Sequence, residues 1–538
     1  MSESDATLNQ GAPNDGATLR SAAETYPPSV SVARSASSNS ELLRRVFSFP
    51  AMLGAVLVGA VYLFARAFIV DPDCWWHIKT GELILTTHQF PHTDPYSFSV
   101  AGQPWLAFEW GGDVLLALAA RWGGLRGLDL LFILLAAAVV LALYYLASLC
   151  AGNSKAGFVA AAILYLLAIP SFSLRPQMFG YLFLILTLIV LERFRRGMRS
   201  TIWLLPFLFL IWVNTHASWI IGLCVVVGYW LCGQFEFHAG GIESVRWSKP
   251  DSTRLSLVLL LSICTLPITP YGVELAAFPF QVASGYPISH AIIREWQPMP
   301  FDLPGGKLFL AVLLAFIIAQ IIFKFVWRLE TLALFLGGAA MATLHVRFLL
   351  LFVPFFAPLL GVILARWVPP YQRDKDQPIA NAVLIVAILA AVIHYFPSRS
   401  ELDDRVAEEF PVGAVQYLNA HNVPEPMLNS YRFGGYLIWA RGPQHKIFID
   451  GRSELYETGG LLNDHMQVLE SKPAALSVLR FYGIKSLILE HSDSLIAMVS
   501  ALPDWQKVYS DDLSVIFVRR EPANPVNAPE TYRPTGRD

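Results

Sequence analysis

Two carboxylates stand directly after the first long apolar run of the sequence, where they would meet both water and lipid headgroups. Asp71 and Asp73 flank a proline and precede an aromatic pair, in the run Asp71-Pro72-Asp73-Cys74-Trp75-Trp76-His77. At that depth a carboxylate can serve as a general base, or can bind a divalent cation that holds a phosphate. The simpler alternative is that both carboxylates cap a helix and that Trp75 and Trp76 form an aromatic belt. The residue types by themselves favour this simpler alternative.

Further polar residues stand at the ends of apolar runs. Because an ionisable residue near a membrane span is costly, each one is a candidate for function. The candidates for substrate binding are His77, Arg175, Asn214, His216, Arg294, Glu295 and Arg347. An arginine can hold a lipid-linked phosphate, and a histidine can donate to a leaving phosphate oxygen. For any single residue, satisfying a helix end is the favoured alternative, but their common placement predicts a shared site.

Arg347 is the strongest candidate for a phosphate ligand. The segment Leu344-His345-Val346-Arg347 interrupts two apolar runs, so a charge there needs a partner. A guanidinium stays protonated at any working pH and offers two aligned donors. A cavity holding only carboxylates would repel a phosphate unless a divalent cation bridged them. The five cysteines form no CxxC pattern, so no metal site is predicted, and a divalent cation is left open as a cofactor.

The elements that must position these residues are membrane spans. The chain of 538 residues is 55% hydrophobic and only 15% charged, whereas a soluble domain carries about a quarter charged residues. The apolar runs predict about eleven membrane-spanning helices, although several runs are shorter than the roughly 20 residues of a perpendicular span. The runs are Ala51–Val70, Leu128–Leu149, Gly157–Phe172, Met178–Leu191, Ile202–Val213, Ser218–Cys232, Leu255–Pro267, Leu308–Phe325, Leu329–Leu344, Phe348–Ala365 and Ile379–Phe396.

Basic clusters in alternate loops predict the orientation of the spans. Loops rich in Lys and Arg, such as the one holding Arg193, Arg195 and Arg196, should be cytoplasmic. The N-terminus is then cytoplasmic, and an odd number of spans places the C-terminal part outside. Two longer loops, Asp71–Gly127 and Tyr271–Lys307, also lie outside. The formal net charge of −2 gives no reason to expect a nucleic-acid partner.

The predicted domains follow from composition. Residues 1–50 form a disordered cytoplasmic tail, 51–397 a transmembrane domain, 398–520 an α/β domain and 521–538 a second disordered tail. The first external loop, 71–127, should carry two helices on the membrane surface, Trp75–Thr86 and Gly112–Arg121. In the α/β domain, strands are predicted at Tyr436–Ala440, Lys446–Ile449, Ser486–Glu490 and Ser514–Val518, and helices at Val412–Ala420 and Leu461–Leu469. Gly434-Gly435 and Asp450-Gly451-Arg452 are interpreted as structural turns first and as an acceptor-binding surface second.

The first external loop resembles that of a known superfamily. It has an Asp at the end of the first span, two surface helices, and an acidic residue, Glu109, before the second surface helix. This arrangement is similar to the GT-C superfamily of membrane glycosyltransferases, which includes protein O-mannosyltransferases and the aminoarabinose transferases of lipid A and uses polyprenyl-phosphate sugar donors. The resemblance implies that Asp71 or Asp73 is the catalytic base and that Glu109 is a second catalytic acidic residue. Asp-Pro-Asp stands where the mannosyltransferases have Asp-Glu, so which Asp is the base stays open.

The chain is also similar to an uncharacterised bacterial branch of GT-C-like proteins. The segments that carry this similarity are Asp71–His77, Phe90–Ser97, Arg175-Pro176-Gln177, Trp212–Ser218, Thr269-Pro270-Tyr271-Gly272, Gly434-Gly435-Tyr436-Leu437 and Phe448-Ile449-Asp450-Gly451-Arg452. The resemblance implies a multi-pass protein of the bacterial inner membrane with an extracytoplasmic C-terminal domain. It further implies inverting transfer of a sugar from a polyprenyl-phosphate donor to a lipid, glycan or protein acceptor outside the cytoplasm.

Two other functions compete with this expectation. A transporter or lipid flippase would use the same charges as a substrate path, but would place them deep in spans and show a pseudo-repeat. Here the charges cluster at loop ends and no repeat is evident. The third alternative is a non-catalytic scaffold whose external domain assembles an envelope complex.

Overall fold

The computed structural model describes residues 41–520 except 286, 459 and 470–473. Apart from residues 41–50, the two predicted terminal tails lie outside the described residues. The chain is mostly helical, with an apolar helical part followed by a part that mixes helices and strands.

The apolar part consists of helices whose ends are marked by capping residues. Ser48 accepts a hydrogen bond from the Ala51 amide at the start of the first helix, and Gly152, at a φ of 63°, ends the third. The helices are α1 (Phe49–Ala65), α2 (Cys74–Thr87), α3 (Trp110–Ala151), α4 (Ser154–Ala168), α5 (Gln177–Arg195), α6 (Leu204–Val213), α7 (Trp219–Cys232), α8 (Lys249–Thr265), α9 (Val273–Gly285), α10 (Pro287–Ile292), α11 (Pro304–Phe323), α12 (Leu329–Leu344), α13 (Leu349–Leu364) and α14 (Pro378–His394).

Fewer helices are long enough to span a membrane than the sequence predicts. Within the described residues, five helical segments have sufficient length and apolar character, and a sixth arises if α14 and the helix after it, bent by 65°, count as one span. Several of the other predicted runs form apolar helices of only 10–17 residues, among them α1, α7 and α12. The predicted count of about eleven spans is therefore not confirmed, because many runs stop short of the roughly 20 residues that a perpendicular span requires.

Helix α3 joins two elements that the sequence separates. Its 42 residues include both the predicted surface helix Gly112–Arg121 and the predicted span Leu128–Leu149, with a break at Gly124, whose φ is 57° and ψ −142°. A glycine adopts that backbone conformation without the steric penalty of a side chain. The first segment of α3 packs against α2, the other predicted surface helix.

Residues after 398 surround a four-stranded sheet. Its strands are β4 (Met427–Asn429), β5 (Ser486–Glu490), β6 (Trp505–Ser510) and β7 (Ser514–Arg519), in the order β4-β5-β7-β6. Strand β4 is parallel to β5, and the remaining pairs are antiparallel. A smaller sheet in the apolar part pairs β1 (Phe237–Ala239), β2 (Ile242–Ser244) and β3 (Trp327–Arg328). The elements after 398 are α15 (Arg399–Glu409), α16 (Val412–Ala420), β4 (Met427–Asn429), α17 (Gly434–Arg441), α18 (Ser453–Thr458), α19 (Leu461–Leu469), α20 (Ala475–Phe481), β5 (Ser486–Glu490), α21 (Leu495–Ser500), β6 (Trp505–Ser510) and β7 (Ser514–Arg519).

The predicted strands of this part are correct in two places and wrong in two. The strands at Ser486–Glu490 and Ser514–Val518 are confirmed as β5 and β7. Tyr436–Ala440 instead lies within helix α17, because its aromatic residues pack onto α2 and this tertiary contact outweighs their β-propensity. Lys446–Ile449 is no strand either; Ile447 makes only a single β-bridge, to Ser97 of the first loop.

Candidate active site between the first loop and the C-terminal part

Arg175 holds both carboxylates of the Asp-Pro-Asp turn. Its Nε lies 2.6 Å from Asp71 Oδ2, and its Nη1 lies 3.0 Å from Asp73 Oδ2. Arg175 comes from the loop before α5, so the contact joins the end of the first apolar segment to the junction of α4 and α5. The planar guanidinium fork presents its donors in fixed directions, which fixes the two carboxylates relative to each other.

The two carboxylates have different environments. Asp71 also accepts a hydrogen bond of 2.9 Å from the amide of Asp73. Asp73 Oδ1 lies against Gly451, where a Cβ would be only 1.7 Å away. Burial raises the pKa of Asp73 to about 6, although Arg175 acts to lower it. Asp73 is therefore the carboxylate better suited to accept a proton near neutral pH.

The structure does not support the helix-cap and aromatic-belt roles that the sequence suggests for this turn. Asp73 occupies the N-cap position of α2, but its side chain makes no capping hydrogen bond within the described residues. Trp75 is fully buried rather than facing lipid, with its ring 5.1 Å from that of Tyr436 and 4.7 Å from that of Trp439. The helix-cap and aromatic-belt interpretation is therefore wrong, and the aromatic residues instead dock α17 onto α2.

Glu109 connects two histidines beside the carboxylate pair. His77 Nε2 lies 3.4 Å from Glu109 Oε2, and His216 Nε2 lies 3.1 Å from Glu109 Oε1. His77 Nδ1 lies 2.6 Å from Asp113 Oδ1, one helical turn after Glu109. These groups form a continuous chain of close polar contacts, in which the contact between His77 and Asp113 is a hydrogen bond.

The protonation states of this chain can be assigned from its partners. Burial raises the pKa of Glu109 to about 8, while burial lowers the pKa of His77 well below its usual value and that of His216 to about 3. His216 Nδ1 accepts from the Ser218 amide, so its Nε2 carries the proton that faces Glu109. Burial leaves Glu109 protonated and both histidines uncharged at neutral pH, so the contacts of Glu109 with His77 and His216 join uncharged side chains and are not ion pairs.

Arg347 faces the same cluster from the turn between α12 and α13. Its Nη1 lies 3.3 Å from Glu295 Oε2, and its guanidinium stands 5.2 Å from the centre of the Trp296 ring. Its charge acts to lower the pKa of both Glu109 and His216, which places it within electrostatic reach of both. The Arg347 side chain is about one-third exposed, and its ion pair with Glu295 uses Nη1. The other N–H groups of the guanidinium can therefore donate to a ligand.

Two predicted residues have other surroundings. Arg294 is exposed, and no ion pair to it is found in the described part of the chain. Asn214 accepts a hydrogen bond of 3.0 Å from Trp110 Nε1 and donates to the carbonyls of Leu210 and Ile268. Asn214 thus fixes the start of α3, and through it the position of Glu109.

The C-terminal part completes the site through a buried arginine. The Arg452 side chain is fully buried and donates to both oxygens of Asp450 at 2.9 and 2.7 Å. It also donates to Asp94 of the first loop at 2.7 Å, and its guanidinium lies 4.6 Å from the centre of the Trp105 ring. The Asp-Gly-Arg turn, which the sequence suggests is merely structural, therefore ties the first loop to the C-terminal part and sets Gly451 against Asp73.

Sequence reasoning missed several residues of this site. Asp113 follows Glu109 by one helical turn, and that spacing was a usable signal. Tyr431 and Glu454 face the cluster from far along the chain, and no local pattern marks them. The pKa of Tyr431 is raised by burial and then by the charges of Asp73, Asp450 and Glu454.

The arrangement fits a bound cation poorly. Arg175 occupies the space between Asp71 and Asp73, so a divalent ion would have to displace it. No group of three or more His, Cys, Asp or Glu side chains suited to a metal occurs within the described ranges. The chemistry of the site is therefore derived from its side chains.

Comparisons with known proteins give structural similarities only. No family model matches the sequence, and no curated protein matches it. A structure of the archaeal oligosaccharyltransferase AglB from Archaeoglobus fulgidus, in complex with an inhibitory peptide and a dolichol-phosphate, is similar at 11% identity and a TM-score of 0.45, covering 81% of this chain and 69% of that chain. The apo form of the Archaeoglobus fulgidus oligosaccharyltransferase is similar at 12% identity and a TM-score of 0.43, with the same coverage.

A third similar structure is ArnT from Cupriavidus metallidurans bound to undecaprenyl phosphate. Its identity is 14% and its TM-score 0.41, covering 90% of this chain and 98% of that chain. At these identities and TM-scores the structural similarity supports no argument about function. The function has to be inferred from the residues of the site.

Proposed function

We propose that this protein is a membrane glycosyltransferase that moves a sugar from a polyprenyl-phosphate-linked donor to an acceptor hydroxyl on the extracytoplasmic face. The observation that carries the proposal is the pair of carboxylates Asp71, which is buried, and Asp73, which is partly exposed, both held by Arg175 between apolar helices. The neighbouring cluster of Glu109 and two histidines, with Arg347 within electrostatic reach, supports it. A base, a phosphate-binding cation and hydrogen-bond donors are the groups that this transfer requires.

Asp73 is the proposed base. It removes the proton from the acceptor hydroxyl as that oxygen attacks the anomeric carbon of the donor sugar. The bond from the anomeric carbon to the phosphate oxygen breaks, and its electron pair stays on the departing polyprenyl phosphate. The configuration at the anomeric carbon is inverted. Asp71 holds Arg175 and the Asp73 amide, so its role is to position Asp73.

Arg347 is the proposed ligand of the leaving phosphate. Two donors of Arg175 are committed to Asp71 and Asp73, whereas Arg347 forms an ion pair with Glu295 at the longer distance of 3.3 Å and lies over the Trp296 ring. A fixed guanidinium stabilises the negative charge that develops on the phosphate as the glycosidic bond breaks. Glu109, which burial keeps protonated, then adds no negative charge that would repel the phosphate.

The test is donor turnover by the purified protein in sealed lipid vesicles, with radiolabelled polyprenyl-phosphate sugars of several kinds and an envelope extract as acceptor source. We expect label to leave the polyprenyl phosphate for the acceptor, and Asp73→Asn to reduce this rate by about 10²–10⁴-fold. The matched control is Asp403→Asn on α15, outside the site. Movement of intact donor across the bilayer without cleavage would support the flippase alternative instead, and full transfer by Asp73→Asn would exclude Asp73 as the base.

A further inference from the structure

A cavity of about 560 Å³ lies at the end of the apolar helices away from the candidate active site. Helices α1, α4 and α14 begin at this cavity, since Phe49, Lys155 and Ala380 line it. Helix α1 then runs toward Asp71 and α4 toward Arg175. The cavity and the carboxylate pair are therefore separated by the length of these helices, which is about 25 Å for α1. The cavity thus lies on the opposite face of the apolar part.

Two lysines line this cavity, and within the residues that the structure describes neither forms an ion pair. Lys155 Nζ lies 5.5 Å from the centre of the Phe49 ring, and Lys375 is exposed. An ammonium group has three N–H donors and no acceptor, so both lysines can donate to an anion in the cavity. The volume falls in the range of about 300–1,000 Å³ that is usual for small-molecule sites.

Asp376 also lines the cavity, but both of its oxygens are occupied. Its Oδ1 accepts from the Gln377 amide at 2.9 Å and from Asn381 Nδ2 at 2.7 Å. Its Oδ2 accepts from the Phe49 amide at 3.2 Å and from the Tyr371 hydroxyl at 2.5 Å. These four hydrogen bonds join α1 to the loop before α14. With two lysines and one carboxylate, the lining has a net positive charge, which suits a ligand that carries a phosphate.

The apolar surface beside the cavity favours a lipid over a soluble phosphate compound. Ala380 lines the cavity, and Val383 and Leu384 are 66% and 43% exposed. Side chains three and four residues apart lie on the same side of a helix, so an acyl chain can leave the cavity along these two residues. Basic pockets between helices at a membrane surface are typical sites for anionic lipid headgroups.

We propose that the cavity binds the headgroup phosphate of an anionic membrane phospholipid between Lys155 and Lys375, with one acyl chain along α14. This site lies on the face opposite the candidate active site. The proposal is independent of the proposed glycosyltransferase function, because none of its residues contributes to the carboxylate pair or to the Glu109 cluster.

The test measures the binding of short-chain lipids to the purified protein in a neutral detergent by native mass spectrometry. The probes are phosphatidylglycerol, phosphatidylcholine with the same acyl chains, and glycerol phosphate, which has no acyl chain. We expect phosphatidylglycerol to bind more tightly than phosphatidylcholine. Lys155→Gln and Lys375→Gln should each weaken phosphatidylglycerol binding by about fivefold, the effect of one basic residue at a membrane surface. Lys155→Arg should retain the affinity of the parent. The matched control is Lys249→Gln, an exposed lysine at the start of α8 that does not line the cavity.

Three outcomes would overturn the proposal. The first is equal affinity for the two lipids, or unchanged phosphatidylglycerol binding in both glutamine variants. The second is glycerol phosphate binding as tightly as phosphatidylglycerol, which would assign the cavity to a soluble phosphate compound. The third is loss of binding in Arg347→Ala but not in the lysine variants, which would place the lipid in the candidate active site. If Lys155→Gln does not fold, Lys375→Gln carries the same prediction, because that side chain is exposed.

Discussion

At the scale of single residues, the site combines a base and an acid whose pKa values are moved toward neutrality by burial. Asp73 has a pKa raised to about 6 and Glu109 one raised to about 8. Asp73 must lose its proton to act as the base, whereas Glu109 must keep its proton so that it does not repel the donor phosphate. The two requirements are met together only between these values.

The pH dependence of transfer should therefore be bell-shaped. The rate should rise as the pH increases through about 6, when Asp73 deprotonates, and fall as it increases through about 8, when Glu109 deprotonates. Glu109→Gln keeps a hydrogen-bond donor but cannot ionise, so this variant should lose the alkaline decline and keep the acidic one. Initial rates across pH 5–10 check this, and an alkaline decline that persists in Glu109→Gln would assign it to another group.

Arg347 gives a second prediction at this scale. Arg347→Ala removes the guanidinium proposed to hold the leaving phosphate, so turnover should fall by about 10²–10³-fold. Arg347→Lys should recover part of that loss, because it keeps the charge but not the aligned pair of donors. Donor binding should be measured alongside turnover, with Arg294→Ala as the exposed neighbour for comparison. If both Arg347 variants bind and turn over donor like the parent, Arg347 is only a helix-end residue.

At the scale of elements, close contacts at glycines fix α2 relative to α17 and the turn before α18. A Cβ at Gly435 would lie 2.1 Å from the carbonyl oxygen of Pro72, and one at Gly434 would lie 2.1 Å from that of Ile449. Side chains at these positions would separate elements that carry the catalytic residues. The two glycines serve here for their small size, since neither has a positive φ.

Gly451→Ala should therefore impair catalysis more than folding of the apolar helices. Its new methyl group would meet Asp73 Oδ1 at 1.7 Å, so either Asp73 or the Asp450 turn must shift. We expect transfer to fall by at least about tenfold, since a 1 Å displacement of a reacting group can cost as much as 10²-fold, with unchanged helical circular dichroism. The matched control is Gly123→Ala, where nothing lies within 4 Å of the added Cβ. Wild-type activity in Gly451→Ala would contradict the described packing.

These elements also show what a sequence can and cannot predict. Asp71, Arg175, His216 and Arg347 could be nominated because charged residues at the ends of apolar runs are expensive and hence conspicuous. The Arg452 network could not, because its importance depends on contacts between segments hundreds of residues apart. The helix at Tyr436–Ala440 was mistaken for a strand for the same reason: its partner is α2, not a neighbouring strand.

At the scale of the whole molecule, Arg452 is the main charged link between the first loop and the C-terminal part. Removing it would leave Asp94 and Asp450 buried without their cation. Loss of one partner of a buried charge pair typically costs about 3–5 kcal/mol. Arg452 thus stabilises the contact between two regions that both contribute residues to the site.

Arg452→Ala should lower the melting temperature and abolish transfer together. Arg452→Lys should be nearly as damaging, because an ammonium cannot make the forked contacts to Asp450 while also reaching Asp94. Arg405→Ala removes an exposed pair with Glu408 and should leave both properties almost unchanged. Thermal unfolding followed by intrinsic fluorescence would check this, and a melting temperature equal to that of the parent in Arg452→Ala would contradict the assignment.

The bond between Asp94 and Arg452 has a consequence for biosynthesis. The ribosome delivers the first loop long before it translates Arg452, and at about 5–20 residues per second the interval is on the order of tens of seconds. During that interval Asp94 and Trp105 lack the guanidinium that pairs with one and packs on the other. A chain that stalls or is cleaved before Arg452 lacks this link, so only polypeptides translated nearly to completion would carry the complete site.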